Sequence, residues 1–202
     1  MLWNLKDMKK FGVLAHDGEI GEVDDVLFDE KSWLIRYLVI GPGPGKGWRK
    51  VLVPASVLEK PEWSLDALQV DLTKTQVARS PTWPAEGAER GDPHLHSGAA
   101  VIGYGIQAND GPVGRIDDLI VDTEGWVIRY AAVDTRKFLP GKKVVLAVPW
   151  IQAIMRSDSR VLVNLTQESI KNGPELDPKI GLNRAFEKAL HDHHRQPYYW
   201  SG

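Results

Sequence analysis

The sequence contains no cysteine. This absence excludes disulfide bonds, thiolate metal sites and a cysteine nucleophile in one step. The sequence also has no apolar run that approaches the roughly 20 residues needed for a membrane-spanning helix. Its first ten residues lack the apolar core and the small-residue cleavage site of a signal peptide. We therefore expect a soluble, cytoplasmic protein without a transmembrane segment.

A charge excess of either sign is absent as well. The 202 residues carry a formal net charge of -2, and 43% of them are hydrophobic, which is a usual mixture for a soluble globular protein. This balance argues against a protein whose whole surface binds nucleic acid. The length is sufficient for one or two compact domains with real cores.

The most informative feature that is present is an internal repeat. Residues 11–41 align without a gap on residues 104–134, at an offset of 93, and twelve of the 31 aligned pairs are identical. In the first copy the identical residues are Gly12, Ala15, Asp17, Gly18, Gly21, Asp24, Asp25, Asp29, Trp33, Ile35, Arg36 and Tyr37. Self-similarity of this kind indicates a duplicated structural unit.

The alignment continues with small shifts. Residues 51–54 match residues 146–149 at an offset of 95, which predicts a preceding loop that is two residues longer in the second copy. Residues 70–73 match residues 163–166, back at an offset of 93. The predicted organisation is a first repeat at 1–80, a Pro- and Gly-rich linker at 81–97, a second repeat at 98–174, and a C-terminal helix with an aromatic tail at 175–202.

Each repeat has the pattern of a series of short strands. Asp17-Gly18 is a hairpin-turn dipeptide, because glycine accepts a positive φ. The disturbed alternation at Asp24-Asp25 suggests a bulge or a bend. Residues 33–40 are nearly all apolar, which is typical of a buried strand. Short strands with turn signals between them predict an all-β fold of two tandem small barrels, followed by a short C-terminal helix.

A family resemblance rests on these same residues. The Asp-Gly turn, the glycine three residues later, the aspartates after it, the Trp-x-Ile-Arg-Tyr strand and a Val-Pro pair about 17 to 21 residues further on together resemble the PRC-barrel family. That family is named for the cytoplasmic domain of the photosynthetic reaction centre H subunit. It also includes the C-terminal domain of a ribosome-maturation factor. The resemblance covers both repeats, about three-quarters of the chain. It implies the barrel fold and indicates little about function.

Paired carboxylates in each repeat are the first candidates for chemistry. Asp24-Asp25 and Asp117-Asp118 suggest acid–base or metal chemistry, but adjacent strand residues point to opposite faces and converge only if a bulge intervenes. A hairpin turn near residue 31 places Asp25 opposite Arg36. We therefore predict two structural pairs, Asp25 with Arg36 and Asp118 with Arg129.

Two further motifs are weaker. The Gly-rich segment 41–47 lacks the spacing and the Ser or Thr of a phosphate-binding loop, and we interpret it as a hairpin loop. His191, His193 and His194 near the end of the C-terminal helix have a spacing that suits a shared metal or a helix-capping role. No carboxylate or cysteine completes a metal site, and we expect no catalytic residue, no cofactor and no metal.

Two candidate interaction surfaces remain. The loop after the Trp-x-Ile-Arg-Tyr strand is basic in both copies, which indicates either a solvated turn or a patch for RNA, an acidic protein or a lipid surface. Its residues are Lys46, Arg49, Lys50, Arg136, Lys137, Lys142 and Lys143. The aromatic residues Trp83, Tyr198, Tyr199 and Trp200 either pack on their own domain or anchor an interface.

These observations favour a non-enzymatic protein-binding or adaptor module, whose partner is another protein or a second copy of the chain. The resemblance alone implies an alternative, a soluble accessory protein of a membrane-associated photosynthetic or electron-transfer complex. A cryptic enzyme or metal protein is the third hypothesis and has the least support.

Overall fold

The computed structural model describes residues 1–9, 11–42, 47, 49–59, 67–83, 92–135, 143–176 and 182–200. Strands dominate these residues, and the predicted all-β class is confirmed. In chain order the elements are β1 (Leu2–Asn4), α1 (Leu5–Met8), β2 (Gly12–Ala15), β3 (Gly18–Asp29), β4 (Ile35–Gly41), β5 (Val51–Pro54), β6 (Ala67–Gln69), α2 (Lys74–Ala78), β7 (Leu95–Ser97), α3 (Gly98–Val101), β8 (Gly105–Ala108), β9 (Gly111–Asp122), β10 (Val127–Asp134), β11 (Lys143–Ala147), β12 (Ile151–Met155), β13 (Arg160–Val163), α4 (Gln167–Lys171) and α5 (Arg184–His194).

The strands form two sheets with the same path. The first sheet has the order β5-β4-β3-β2-β6, and the second has the order β11-β10-β9-β8-β13-β12. In the first sheet β2 runs antiparallel to β3 and parallel to β6. In the second sheet β8 has the same relation to β9 and β13. The duplication seen in the sequence is therefore a duplication of topology.

The repeat keeps a single offset of 93 across both ladders. Tyr37 pairs with Pro54 in the first sheet, and Tyr130 pairs with Ala147 in the second. The predicted offset of 95 around the two Val-Pro pairs is therefore wrong, and Pro149 lies in the 3-10 turn that follows β11. The sequence comparison slipped because a shift of two residues leaves every strand side chain on the same face.

The repeats also exchange their first strands. β1 pairs with β9, with Leu2 opposite Asp122, and β7 pairs with β3, with Leu95 opposite Asp29. These two pairings are equivalent under the offset of 93. The strand β7 lies within the segment that was predicted to be a linker. The end of this segment is therefore part of a sheet.

The described residues group into two compact units. One unit comprises residues 1–101 and 119–129, and the other comprises residues 102–118 and 130–202. Each unit has an apolar core. Fully buried core residues of the first unit include Val13, Val26, Leu38, Val53 and Leu68, and those of the second include Tyr130, Val145, Leu146, Val161 and Ile170.

The turn of each long hairpin contains a tryptophan in the left-handed region. Trp33 has a φ of 58° and Trp126 has a φ of 48°, a conformation that costs a non-glycine residue about 1–2 kcal/mol. Trp33 is 7% exposed and stacks on Phe28, with 5.1 Å between the ring centroids. Burial and stacking of the indole offset the strain, so the repeated tryptophan holds the turn.

Two irregularities set the register of the β3–β4 hairpin. Val23 lies opposite Ile40 and Asp25 opposite Val39, so Asp24 is an extra residue on β3, and the predicted bulge is confirmed. Tyr37 lies opposite Leu27 and Ile35 opposite Phe28. Arg36 is therefore the extra residue on β4.

This register overturns the predicted pair of Asp25 with Arg36. Arg36 is bulged and exposed, whereas Asp25 is 5% exposed and lies opposite Val39. Hydrogen bonds from Ser32, with a smaller contribution from the Arg36 charge, lower the pKa of Asp29 at the end of β3. The prediction failed because a turn centre alone cannot reveal a bulge between the turn and the pair.

The second repeat shows the same arrangement at the strand end. Arg129 donates hydrogen bonds from Nε and Nη2 to Asp122 Oδ2, both at 3.2 Å. Asp122 is the equivalent of Asp29. Asp118 is 6% exposed, and its pairing with Arg129 stays a prediction.

Asp25 instead joins β3 to the exchanged strand and to α3. Its carboxylate accepts hydrogen bonds from the Ser97 hydroxyl, from Ala99 N at 2.9 Å and from Val26 N at 2.8 Å. Burial raises the pKa of Asp25 above its usual range, although these hydrogen bonds oppose the rise. The buried Asp25 carboxylate, with its three donors, therefore holds β7 next to β3.

We predict that Asp25→Ala lowers the free energy of unfolding by about 2–4 kcal/mol at neutral pH, because the buried Val26 N–H and the part-buried Ala99 N–H lose their acceptor. Asp25→Asn is the matched control, since its amide oxygen keeps that acceptor. Urea unfolding measures the stability of both variants. Equal stabilities of Asp25→Ala and Asp25→Asn would disprove the role of Asp25 as a stabilising hydrogen-bond acceptor.

The raised pKa of Asp25 also determines how the stability difference between the wild type and Asp25→Asn changes with pH. The folded state binds the Asp25 proton more tightly than the unfolded state. The wild type should therefore gain stability relative to Asp25→Asn as the pH falls from the raised pKa towards 3.8.

Candidate functional site

A surface pocket of the first repeat is the candidate site. It has a volume of about 270 Å³ and is lined by residues of β3, β5 and α2 together with Arg49. The lining residues are Glu19, Ile20, Arg49, Val51, Lys74, Val77 and Ala78.

Local sequence signals place α2 at this pocket. Thr73 is the N-cap: its hydroxyl accepts from Gln76 N at 3.3 Å, and Gln76 Oε1 accepts from Thr73 N at 2.8 Å. Lys74 N also donates to Asp17 Oδ1 at 2.7 Å, which ties the helix start to the hairpin loop. Because residues i and i+4 share one helix face, Lys74 and Ala78 both face the pocket.

The floor of the pocket is apolar. Val51 is 1% exposed and Val77 is 0% exposed, whereas Ile20 is half-buried and Ala78 is exposed. An apolar group that enters from outside would remove the remaining exposed surface of Ile20 and Ala78 from water.

The rim of the pocket is charged. Arg49 and Lys74 are exposed, and neither the guanidinium nor the ammonium group contacts a partner within the described part of the chain. Lys50 differs, because its Nζ lies 2.8 Å from Asp24 Oδ2. Glu19 adds a carboxylate to the same rim.

The second repeat differs at the equivalent place. Gln167 replaces Lys74 and Pro112 replaces Glu19, and Gln167 Nε2 donates to Pro112 O at 2.6 Å. Val113, the equivalent of the half-buried Ile20, is 3% exposed. In the second repeat, the hydrogen bond between Gln167 and Pro112 therefore lies at the place equivalent to the opening of the pocket in the first repeat.

The comparison with protein families agrees with this geometry. Residues 4–76 match the family model of the PRC-barrel domain. The first repeat is a PRC-barrel domain. No curated protein matches the chain. Among the described helices, none has the length and the apolar character required to cross a membrane.

The predicted basic patch is only partly at the pocket of the PRC-barrel domain. Lys46, Arg136, Lys137 and Lys142 lie outside the described residues. Lys50 is ion-paired and Lys143 is exposed at the start of β11, so Arg49 alone of the described patch residues lines the pocket. Sequence reasoning missed Lys74, although its replacement by Gln167 in the other repeat was a visible signal.

The predicted interface aromatics contact their own chain. Trp200 stacks on Tyr198 at 4.9 Å, and the Arg184 guanidinium lies 4.1 Å from the Trp200 ring. Trp83 is half-buried, and its backbone N donates to Lys50 O at 2.9 Å. A role of these residues at an interface stays a prediction.

A buried carboxylate anchors α5 on the second repeat. Glu187 is 2% exposed, and its Oε1 accepts from the hydroxyls of Tyr130 and Tyr199, both at 2.9 Å. Arg184 Nη1 lies 3.2 Å from Glu187 Oε2. Burial and the adjacent Glu187 carboxylate raise the pKa of Tyr130 well above its usual value, so its hydroxyl stays protonated as a hydrogen-bond donor.

The C-terminal histidines have separate hydrogen-bond partners. His191 Nδ1 lies 2.8 Å from Pro197 O, His193 Nε2 lies 3.0 Å from Ser169 O, and His194 Nδ1 lies 3.0 Å from Ser169 Oγ. Within the described ranges, no group of three or more His, Asp or Glu side chains is arranged to bind a metal ion.

We predict that His194 makes stability depend on pH. Burial, together with the neighbouring His193 and His191, lowers the pKa of His194 to about 4. Because the folded state disfavours the protonated ring, stability is lost as the pH falls from 6.5 towards 4. Urea unfolding, followed by tryptophan fluorescence, should show that loss in the wild type.

His194→Asn is the matched variant, because its side-chain amide reaches the position of Nδ1 and can form the hydrogen bond with Ser169 Oγ. The stability difference between wild type and variant should shrink or reverse across the same pH range. A difference that stays constant with pH would contradict the role of His194.

Proposed function

We propose that this chain is a non-enzymatic protein-binding module, in which the first PRC-barrel domain receives an apolar side chain of another protein in its surface pocket. The observation that carries this proposal is the opening itself. The first repeat keeps it, whereas a hydrogen bond between Gln167 and Pro112 crosses the equivalent place in the second repeat.

The energetics of an open apolar pocket support a binding role. Apolar side chains at an open pocket stay partly in contact with water, which is unfavourable. The second repeat has the same ladder register and bridges this place, so the topology does not impose the opening. Binding of a partner explains why the first repeat retains it.

The size and the lining of the pocket favour a protein partner over a cofactor or a substrate. A volume of about 270 Å³ is just below the roughly 300–1,000 Å³ of sites for drug-sized ligands, which suits a single apolar side chain. None of the described lining residues is Ser, Thr, Tyr or His, which supports a binding role over catalysis by a hydroxyl or an imidazole.

An adaptor role is the finer form of this proposal. The two repeats share a topology but present different surfaces, since α5 packs on the second repeat through Glu187 and the tail residue Tyr199 lies beside Tyr130. Two unlike surfaces on one chain are what an adaptor requires. An accessory role in a photosynthetic or electron-transfer complex is a special case of this function.

The test is to fill the pocket without unfolding the domain. Ala78→Leu adds an apolar side chain from an exposed position of α2, and leucine is a strong helix former. Lys171→Leu is the matched control at the equivalent position of α4. We expect proteins that the immobilised wild-type chain captures from an extract of its own source cells to be retained by Lys171→Leu and lost by Ala78→Leu.

Quantitative mass spectrometry of the captured fractions measures this difference, after thermal unfolding has shown that both variants are folded. Equal capture by Ala78→Leu and the wild type would reject the pocket as the binding site. Capture that does not exceed the bare matrix would reject the protein-binding function.

A further inference from the structure

The charges on the rim of the pocket point to the chemistry of the partner. Resting on the proposed function, we propose that the pocket binds an acidic peptide segment. An apolar side chain of that segment enters the pocket, and a neighbouring carboxylate binds Arg49 and Lys74.

The first argument is that these two cations have no partner of their own. Within the described residues, neither Arg49 nor Lys74 forms an ion pair, whereas the adjacent Lys50 is neutralised by Asp24 at 2.8 Å. Unpaired cations beside an apolar cavity attract a carboxylate and orient it by charge-assisted hydrogen bonds.

The second argument is the position of the Lys74 side chain beside the hairpin glycine Gly18. Its Nζ lies 2.9 Å from the position that a Cβ atom would occupy on Gly18, which has a φ of 118°. In the second repeat Gln167 Nε2 lies 2.8 Å from the equivalent position on Gly111. Both side chains thus lie over the hairpin glycine, and only the first repeat places a charge there.

The third argument separates a peptide from a nucleic acid or a membrane. Among the described lining residues of the rim, the cations Arg49 and Lys74 outnumber the carboxylate of Glu19. Binding to a nucleic-acid backbone relies on several neutralised phosphates or on stacking aromatics, and none of the described lining residues is aromatic. A lipid surface is bound by clusters of about 4–8 basic residues. A carboxylate next to an apolar side chain fits this rim best.

The test uses the full chain and three blocked pentapeptides. One has a leucine between two aspartates, the second has the leucine between two lysines, and the third has an alanine between two aspartates. Amide chemical shifts report the binding, and we expect changes at Ile20, Val77 and Ala78. The first peptide should bind most tightly, and its affinity should fall as salt rises from about 50 to about 200 mM.

Charge variants test the role of the rim. Arg49→Gln and Lys74→Gln should each weaken the binding of the acidic leucine peptide by roughly two- to fivefold, the range for exposed ion pairs. Lys74→Gln is a matched change, because glutamine is the residue of the second repeat. Glu19→Gln should strengthen binding by a similar factor, because it removes the negative charge on the rim.

The outcomes distinguish this inference from the proposed function. If Ala78→Leu abolishes binding of the leucine peptides but the charge variants change nothing, the pocket function stands and the acidic partner is wrong. If only the charge variants act, the contact is a surface ion pair and the pocket function is wrong. Tighter binding of the lysine peptide or of a single-stranded RNA oligonucleotide, or no shift change at several millimolar acidic peptide, overturns the inference.

Discussion

The backbone pairing of β7 with β3 is the interaction on which the first unit depends. Leu27, Phe28 and Asp29 pair with residues 95–97, so the strand that begins the second repeat completes the sheet of the first. Side chains reinforce the ladder: Asp25 accepts from Ser97 and Ala99, and Glu30 bridges His94 at 2.7 Å and His96 at 2.8 Å. A short strand of three residues needs such support, because few ladder bonds hold it.

The two exchanged strands, β1 and β7, form equivalent backbone pairings, but the side chains that follow them differ. At the start of the short helix after each exchanged strand, Leu5 of the first repeat is the equivalent of Gly98 of the second. A Cβ atom on Gly98 would lie 2.5 Å from Leu5 Cδ2 and 3.1 Å from Val26 Cγ2. The large residue therefore fills the space that the small one leaves, and the two repeats have become complementary rather than interchangeable.

Much of the fold could be predicted from sequence, and the errors have specific causes. The duplication, the all-β class and the bulge at Asp24 were visible, because they rest on turn glycines and on the period of apolar residues. The offset of 95 failed because strand periodicity tolerates a slip of two. The Asp25–Arg36 pair failed because the bulge at Arg36 changes the register after the turn. The strand β7 was hidden in a segment whose Pro and Gly content indicated a linker.

Less of the candidate site could be predicted, for a physical reason. Arg49 was identified from the basic loop, but the apolar floor and Lys74 come from separate parts of the chain that only the packing of α2 brings together. By itself the sequence determined which residues prefer strands, where the turns lie and that one unit occurs twice, since these follow from local backbone preferences and periodicity. Only the tertiary structure decided which carboxylate meets which donor, that the first strands are exchanged, and that the first repeat has a pocket whose rim cations, Arg49 and Lys74, form no ion pair within the described residues. Those features depend on register and on contacts between residues distant in sequence, which local preferences do not encode.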